Sequence, residues 1–188
     1  MSNDIAALLD ELHQDHRNMA FLLELLERES NRLLDDGNPD FELMHDIMQY
    51  MTGYPDAVHH PKEDRLYAEI KEVRPELTAG FQRISHDHRE IGEQGRRARD
   101  QLALIESGNF VDRKSIVADL LRYVHALRGH MQWEELDLFR RCRTMAEDGH
   151  QFLEHSGGTQ RGDPLFGRQV EATFERLFRQ IQSSGREG

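Results

Sequence analysis

The sequence predicts an all-α protein: an antiparallel up-down four-helix bundle with an additional short C-terminal helix. Apolar residues recur at helical spacing, start and stop signals cut the chain into four long segments, and the links between those segments are too short for anything but antiparallel neighbours. The second half of the bundle also repeats the first.

The segments follow from local chemistry. The first, about 4–35, opens after Ser2, Asn3 and Asp4 and stops at Asp35-Asp36-Gly37; the second, about 40–72, starts after Asn38-Pro39. Pro55 and Pro61 interrupt that second segment and predict a kink, because each removes an amide donor. The third begins at Pro75 and runs to Gly108, and the fourth begins near Asp112 and fades by Gly149. Residues 149–162 are glycine-rich and aperiodic and read as a loop. Asp163-Pro164 then predicts a last helix over about 164–183, with Phe166, Val170, Phe174, Leu177 and Phe178 against the bundle. The expected division is therefore a bundle over 1–148, followed by a loop and packing helix over 149–188.

Composition narrows the function. A chain of 188 residues buries enough surface to fold as one domain without disulfides, so a metal here serves function rather than folding. Acidic residues outnumber basic ones by 35 to 24 and the basic ones are scattered, which argues against a nucleic-acid partner. No apolar run is long enough for a membrane span, and the start MSNDIAALLDELHQDH lacks the basic and apolar regions of a signal peptide, so a cytoplasmic location is expected. The single cysteine, Cys142, excludes an intramolecular disulfide or a thiolate metal cluster within one chain and reads as a structural or surface thiol. The eleven histidines are the anomaly.

Four of them, with two glutamates, form a pattern. Asp15-His16-Arg17-Asn18-Met19 resembles Asp87-His88-Arg89-Glu90-Ile91, and His59-His60-Pro61-Lys62-Glu63 resembles His130-Met131-Gln132-Trp133-Glu134, each pair about 70 residues apart. Each half thus carries one His on its first helix and His-x-x-x-Glu on its second. At about 100° per residue, His16 shares a face with Ile5, Leu9, Leu12, Met19 and Leu23, and His88 with Leu77, Phe81, Ile84, Ile91 and Leu102. His59 and Glu63 share theirs with Met48, Leu66 and Ile70, and His130 and Glu134 with Ile116, Tyr123 and Ala126. Depth agrees: His16 and His59 both stand about 28 Å from their common turn, and the other pairs match similarly. A buried glutamate needs a compensating charge, and a metal cation supplies it. Imidazole with carboxylate suits iron, zinc or manganese, and two glutamates able to bridge favour a pair of ions.

The motifs YPDAVHHPKEDRLY at 54–67 and HMQWEELDLF at 130–139 resemble those of the bacterial hemerythrin-like proteins, the HHE cation-binding domains, over about residues 5–145. The resemblance implies that His16, His59, His88 and His130 are terminal ligands and Glu63 and Glu134 bridging ligands of two iron ions (Fe2+/Fe3+), with an oxo or hydroxo bridge between them. Animal hemerythrins have a further histidine one turn before the third-helix ligand; Ile84 stands there in this chain, which implies an open coordination position. DPLFG at 163–167 also resembles a feature of bacterial relatives, with a packing role.

The other histidines have plainer expectations. His86 and His125 point away from the ligand faces, His45 lies about 21 Å along the axis from His59, and His150 and His155 fall in the loop. His60 is expected beside the ligands or at the surface, and His13, one turn before His16, is the candidate for a seventh ligand or proton relay. The expected function is a binding or sensing protein for a small diatomic ligand, dioxygen or nitric oxide, rather than an enzyme. The alternatives are a di-iron enzyme (oxidase, peroxide-reactive or iron-sulfur cluster repair-like) and an iron store.

Overall fold

The computed structural model describes residues 5–147 and 162–184, and every regular element among them is helical. The first helix, α1 (Ile5–Leu34), is about 45 Å long at 1.5 Å per residue. Its apolar stripe of Leu9, Leu12, Met19, Leu22, Leu23 and Leu26 is fully buried. It ends where Asp36 turns to φ 57° and Gly37 donates its N–H to the Arg32 carbonyl at 2.8 Å. A Cβ on Gly37 would stand 2.9 Å from that same carbonyl oxygen, so the turn requires glycine. Asp40 caps α2 (Phe41–Met51) by accepting the Leu43 N–H at 2.9 Å, and the buried Glu29 carboxylate accepts the Asp40 N–H.

The second long segment is broken, as its prolines predict. After α2 the chain passes Thr52-Gly53 and enters a π turn, Pro55–His59, before α3 (His60–Val73). Pro55 has no N–H to give, and its carbonyl accepts from His60 across the widened turn. Pro61 sits in the first turn of α3, where an N–H is not needed. A second π turn, Glu134–Leu138, divides α5 (Arg113–Trp133) from α6 (Phe139–Glu147). Both π turns adjoin the histidine layer.

Two boundaries differ from expectation. The third bundle helix does not begin at Pro75: residues 75–77 form an isolated 3₁₀ turn, Gly80 adopts φ 90°, and α4 runs from Ile84 to Glu106. The left-handed glycine stops any helix from passing through, which overrides the helical periodicity of Leu77 and Phe81. In the tail, Asp163-Pro164 caps a tight turn rather than a helix, with Asp163 accepting from the N–H groups of Leu165 and Phe166. Only α7 (Glu175–Ser184) is α-helical there, after a 3₁₀ turn over Ala172–Phe174. The apolar contacts are nevertheless those expected. Phe174 and Leu177, joined by Leu165, are buried in the bundle core, with Phe166, Val170 and Phe178 packed against it. Most of the loop expected over 149–162, with His150 and His155, lies outside the described residues.

In space α1 packs beside α2 and α5, and α4 beside α2 and α5, which is the ring of neighbours of an up-down bundle. The core is split in two. One apolar cluster gathers Met19, Leu23, Met48, Ile91 and Val124, and the other Leu9, Leu12, Leu66, Phe81, Ile84 and Phe139. The histidine–glutamate layer lies between them. Gly95 of α4 is closely packed against α5 and the C-cap of α2: an added Cβ would stand 2.9 Å from the Tyr123 ring and 3.0 Å from Thr52 Cγ2. Gly95→Val should therefore destabilise the fold by about 1–3 kcal/mol, whereas Gly129→Ala, facing open space on α5, should stabilise it by about 0.5–1 kcal/mol; chemical denaturation measures both.

Candidate metal centre

Six side chains from all four bundle segments converge between the two apolar clusters. His16 comes from the middle of α1, His59 ends the first π turn, and Glu63 follows it on the first turn of α3. His88 lies early in α4, His130 in the last turn of α5, and Glu134 opens the second π turn. None of the six is more than 8% exposed, and both glutamates are fully buried. The His16 and His59 ring centroids are 5.0 Å apart, and those of His88 and His130 are 4.8 Å apart.

The glutamates sit between the two histidine pairs. Glu63 turns Oε1 toward His59 Nε2 (3.2 Å) and His16 Nε2 (3.4 Å), and Oε2 toward His88 Nε2 (3.4 Å). Glu134 turns Oε1 toward His130 Nε2 (3.1 Å) and His88 Nε2 (3.6 Å), and Oε2 toward His16 Nε2 (3.5 Å). Each carboxylate thus offers one oxygen to each histidine pair. The four Nε2 atoms and all four carboxylate oxygens are buried without a well-formed hydrogen bond. Buried polar atoms are ordinarily paired, so eight such atoms facing one space form a donor set that a cation would satisfy. Two groups have ligand atoms within 4.8 Å of one another: Glu63, His88, His130 and Glu134, and His16, His59 and Glu63.

On their outer sides the four imidazoles meet four carboxylates. Nδ1 of His59 is hydrogen-bonded to Asp15 at 3.0 Å and that of His16 to Glu135 at 3.1 Å, while those of His88 and His130 stand 3.4 Å from Asp64 and from Asp87 as ion-pair contacts without hydrogen-bond geometry. The pattern is cyclic, since each histidine is held by an acid from the preceding segment, the first being held by the fourth. In His59 and His16 the Nδ1 hydrogen bond to a carboxylate favours the tautomer whose Nε2 lone pair is free to bind a cation, and the facing carboxylates orient His88 and His130 in the same sense. Residue reading missed these four acids although the repeat displayed them. Asp precedes His in both Asp15-His16 and Asp87-His88, and an acid follows Glu in both Glu63-Asp64 and Glu134-Glu135.

The remaining histidines among the described residues stand outside the cluster. His60 is buried and stacks on His88 at 4.1 Å and 15°, with Nδ1 on Asp56. His13 is partly exposed and pairs with Glu135 rather than joining the donor set. His45 pairs with Glu106, and His86 and His125 are exposed. Cys142 is fully buried, and burial pushes its thiol up to about 12, so it is an unreactive core group.

A helical bundle with such a buried imidazole–carboxylate layer is the architecture of a cation-binding domain. A hemerythrin HHE cation binding domain profile matches residues 7–142, and the chain belongs to that family. No match is found among curated proteins or among solved structures. Among the described residues no helix is long and apolar enough to cross a membrane.

Within the layer, imidazoles and carboxylates compensate one another's charge. Burial works to lower the His59 pKa, but the Glu63 charge and the Asp15 hydrogen bond outweigh it and raise it to about 10. His88, opposed by burial in the same way, is lifted by Asp64, Glu134 and Glu63 to about 11. Burial works to raise Glu63, yet His59, His16 and His88 hold it well below the usual carboxylate range. These raised imidazoles stabilise the metal-free fold at neutral pH, and that contribution is lost as pH rises through about 10 and 11. Metal binding has the opposite sign, because a protonated imidazole is no ligand. Metal uptake near neutral pH should therefore release protons from His59 and His88 and tighten as pH rises. Calorimetric titration in buffers of different ionisation enthalpy checks this, and a heat independent of buffer would contradict it.

Proposed function

We propose that the chain binds two iron ions between His16, His59, His88 and His130, with Glu63 and Glu134 shared by both ions, and that the filled centre binds or senses dioxygen or nitric oxide. The observation that carries the reading is the division of each glutamate, one oxygen toward each histidine pair, at full burial. A single ion would not need both oxygens of both carboxylates aimed in opposite directions. Hard carboxylate oxygens with borderline imidazole nitrogens and no thiolate suit iron among the metals such a site could take.

Iron bound there supplies a redox-active centre with affinity for small diatomic ligands. The protein's own part is orientation and exclusion. Asp15, Asp64, Asp87 and Glu135 hold the imidazoles so that their Nε2 atoms face inward, and the two glutamates keep the site anionic enough to retain cations. Met19 and Ile91 are buried on one side of the layer, and Phe139 stacks on His16 at 5.2 Å on the other. Such walls favour a small neutral molecule over a bulky polar substrate. Ile84 is fully buried, one turn before His88, and offers no donor. These apolar walls support a binding or sensing role over chemistry on an organic substrate.

Metal analysis after anaerobic Fe2+ loading should give two ions per chain. Replacing His16, His59, His88 or His130 by Ala should lower that content far more than replacing His86 or His125. The reduced, loaded protein should change its absorption rapidly on exposure to dioxygen or nitric oxide without an added substrate, and Glu63→Ala or Glu134→Ala should abolish the change, while His60→Ala should largely preserve it. Silence toward both gases would exclude the sensing reading and favour storage.

A further inference from the structure

The four acids that hold the histidines differ in what holds them. Asp87, Glu135 and Asp64 are 21%, 36% and 45% exposed, and are met by Arg83, His13 and Ser85. Asp15 is 6% exposed and depends on a protein donor instead of water. That donor is Tyr54, whose hydroxyl donates a hydrogen bond to Asp15 at 3.2 Å from Oδ2 and 3.3 Å from Oδ1. The same Oδ2 lies 3.0 Å from His59 Nδ1. Tyr54 is itself buried against another tyrosine, Tyr50, with ring centroids 5.8 Å apart and planes 25° from parallel.

Tyr50 is where the C-terminal segment enters. Its hydroxyl donates to Asp163 Oδ2 at 2.9 Å, and Phe166 and Phe174 meet its ring edge-on at 6.0 and 5.7 Å. Asp163 is fixed by the Leu165 and Phe166 N–H groups on Oδ1 and by Asn18 of α1 on Oδ2. Arg176 further pins α7 to Asp46 and Glu42 on α2. An unbroken series of contacts thus runs from the tail through Tyr50, Tyr54 and Asp15 to His59.

We propose that Tyr54 is a positioning residue of the metal centre and that Asp163, through Tyr50, makes the C-terminal segment part of it, so that seating of the tail and cation binding at His59 stabilise one another. The proposal rests on the metal reading above. A buried carboxylate that loses a hydroxyl donor is left under-bonded and free to turn, and the imidazole it orients turns with it. If a seated tail favours cation binding at His59 by some factor, cation binding must favour the seated tail by the same factor. Tyrosines that only fill the core would leave Tyr→Phe replacements without effect on the metal.

The test is anaerobic Fe2+ titration of the full chain and of the shape-conserving variants Tyr54→Phe and Asp163→Asn, with amide exchange followed at Leu165 and Phe166. Loss of a ligand's own hydrogen-bond partner costs about tenfold or more in metal affinity; Tyr54→Phe leaves that partner, Asp15, in place but under-bonded and should bind Fe2+ several-fold more weakly, and Asp163→Asn about twofold more weakly. Fe2+ should slow exchange of the two tail amides in the natural chain, and that slowing should disappear in Tyr54→Phe. A purely structural role would not move this readout. Unchanged Fe2+ affinity in either variant, or tail amides indifferent to Fe2+, would overturn the proposal while leaving the metal reading intact. A natural chain that binds no Fe2+ would overturn both.

Discussion

Burying Glu63 and Glu134 completely, within reach of each other's histidines, imposes a condition on everything around them. Two carboxylates in an apolar interior are costly unless opposite charge and hydrogen bonding surround them. The chain meets the condition in two layers, four inward Nε2 atoms around the carboxylates and four outer carboxylates behind the imidazoles. The inner layer is incomplete by itself, since its donor atoms face one another without well-formed hydrogen bonds. That incompleteness is what makes the arrangement a site for cations rather than a polar core.

The helices are shaped by the same requirement. Straight helices would carry the His-x-x-x-Glu motifs at the phase set by their first residue, yet both motifs adjoin a π turn, Pro55–His59 before one and Glu134–Leu138 at the end of the other. Wide turns of this kind occur mostly at functional sites, and here each includes one residue of the layer, His59 in the first and Glu134 in the second. Splitting the apolar core into two clusters is a further consequence, with each cluster completing its own packing on one side of the polar layer.

Much of this was legible in the sequence because it rests on periodicity. The inward phase of His16 in α1 and His130 in α5 follows from 100° per residue; the depth arithmetic assumed unbroken second and third segments, which the turns around Gly53 and Gly80 interrupt, yet the six residues do meet in one layer. What was not legible depends on backbone angles or on contacts between distant residues. The onset of α4 was misplaced because Gly80 adopts φ 90°, a choice that a helical apolar pattern on either side does not reveal. Residues 164–171 kept their apolar contacts but not their expected helix, which starts only at Glu175, since the Asp163 side chain caps a turn there. The four outer acids were visible as neighbours of the ligands in both repeats, but their assignment to particular histidines crosses from one segment to the next. The bond from Asp163 to Tyr50 spans 113 residues and has no local signal at all.

The central claim is that two cations lie side by side between the four histidines, each glutamate serving both. Anomalous diffraction at the iron edge from crystals of the Fe2+-loaded chain tests it most directly. The account predicts two neighbouring anomalous peaks, one beside His16 and His59 and the other beside His88 and His130, with Glu63 and Glu134 in contact with both. A single peak, or peaks away from these six side chains, would contradict it.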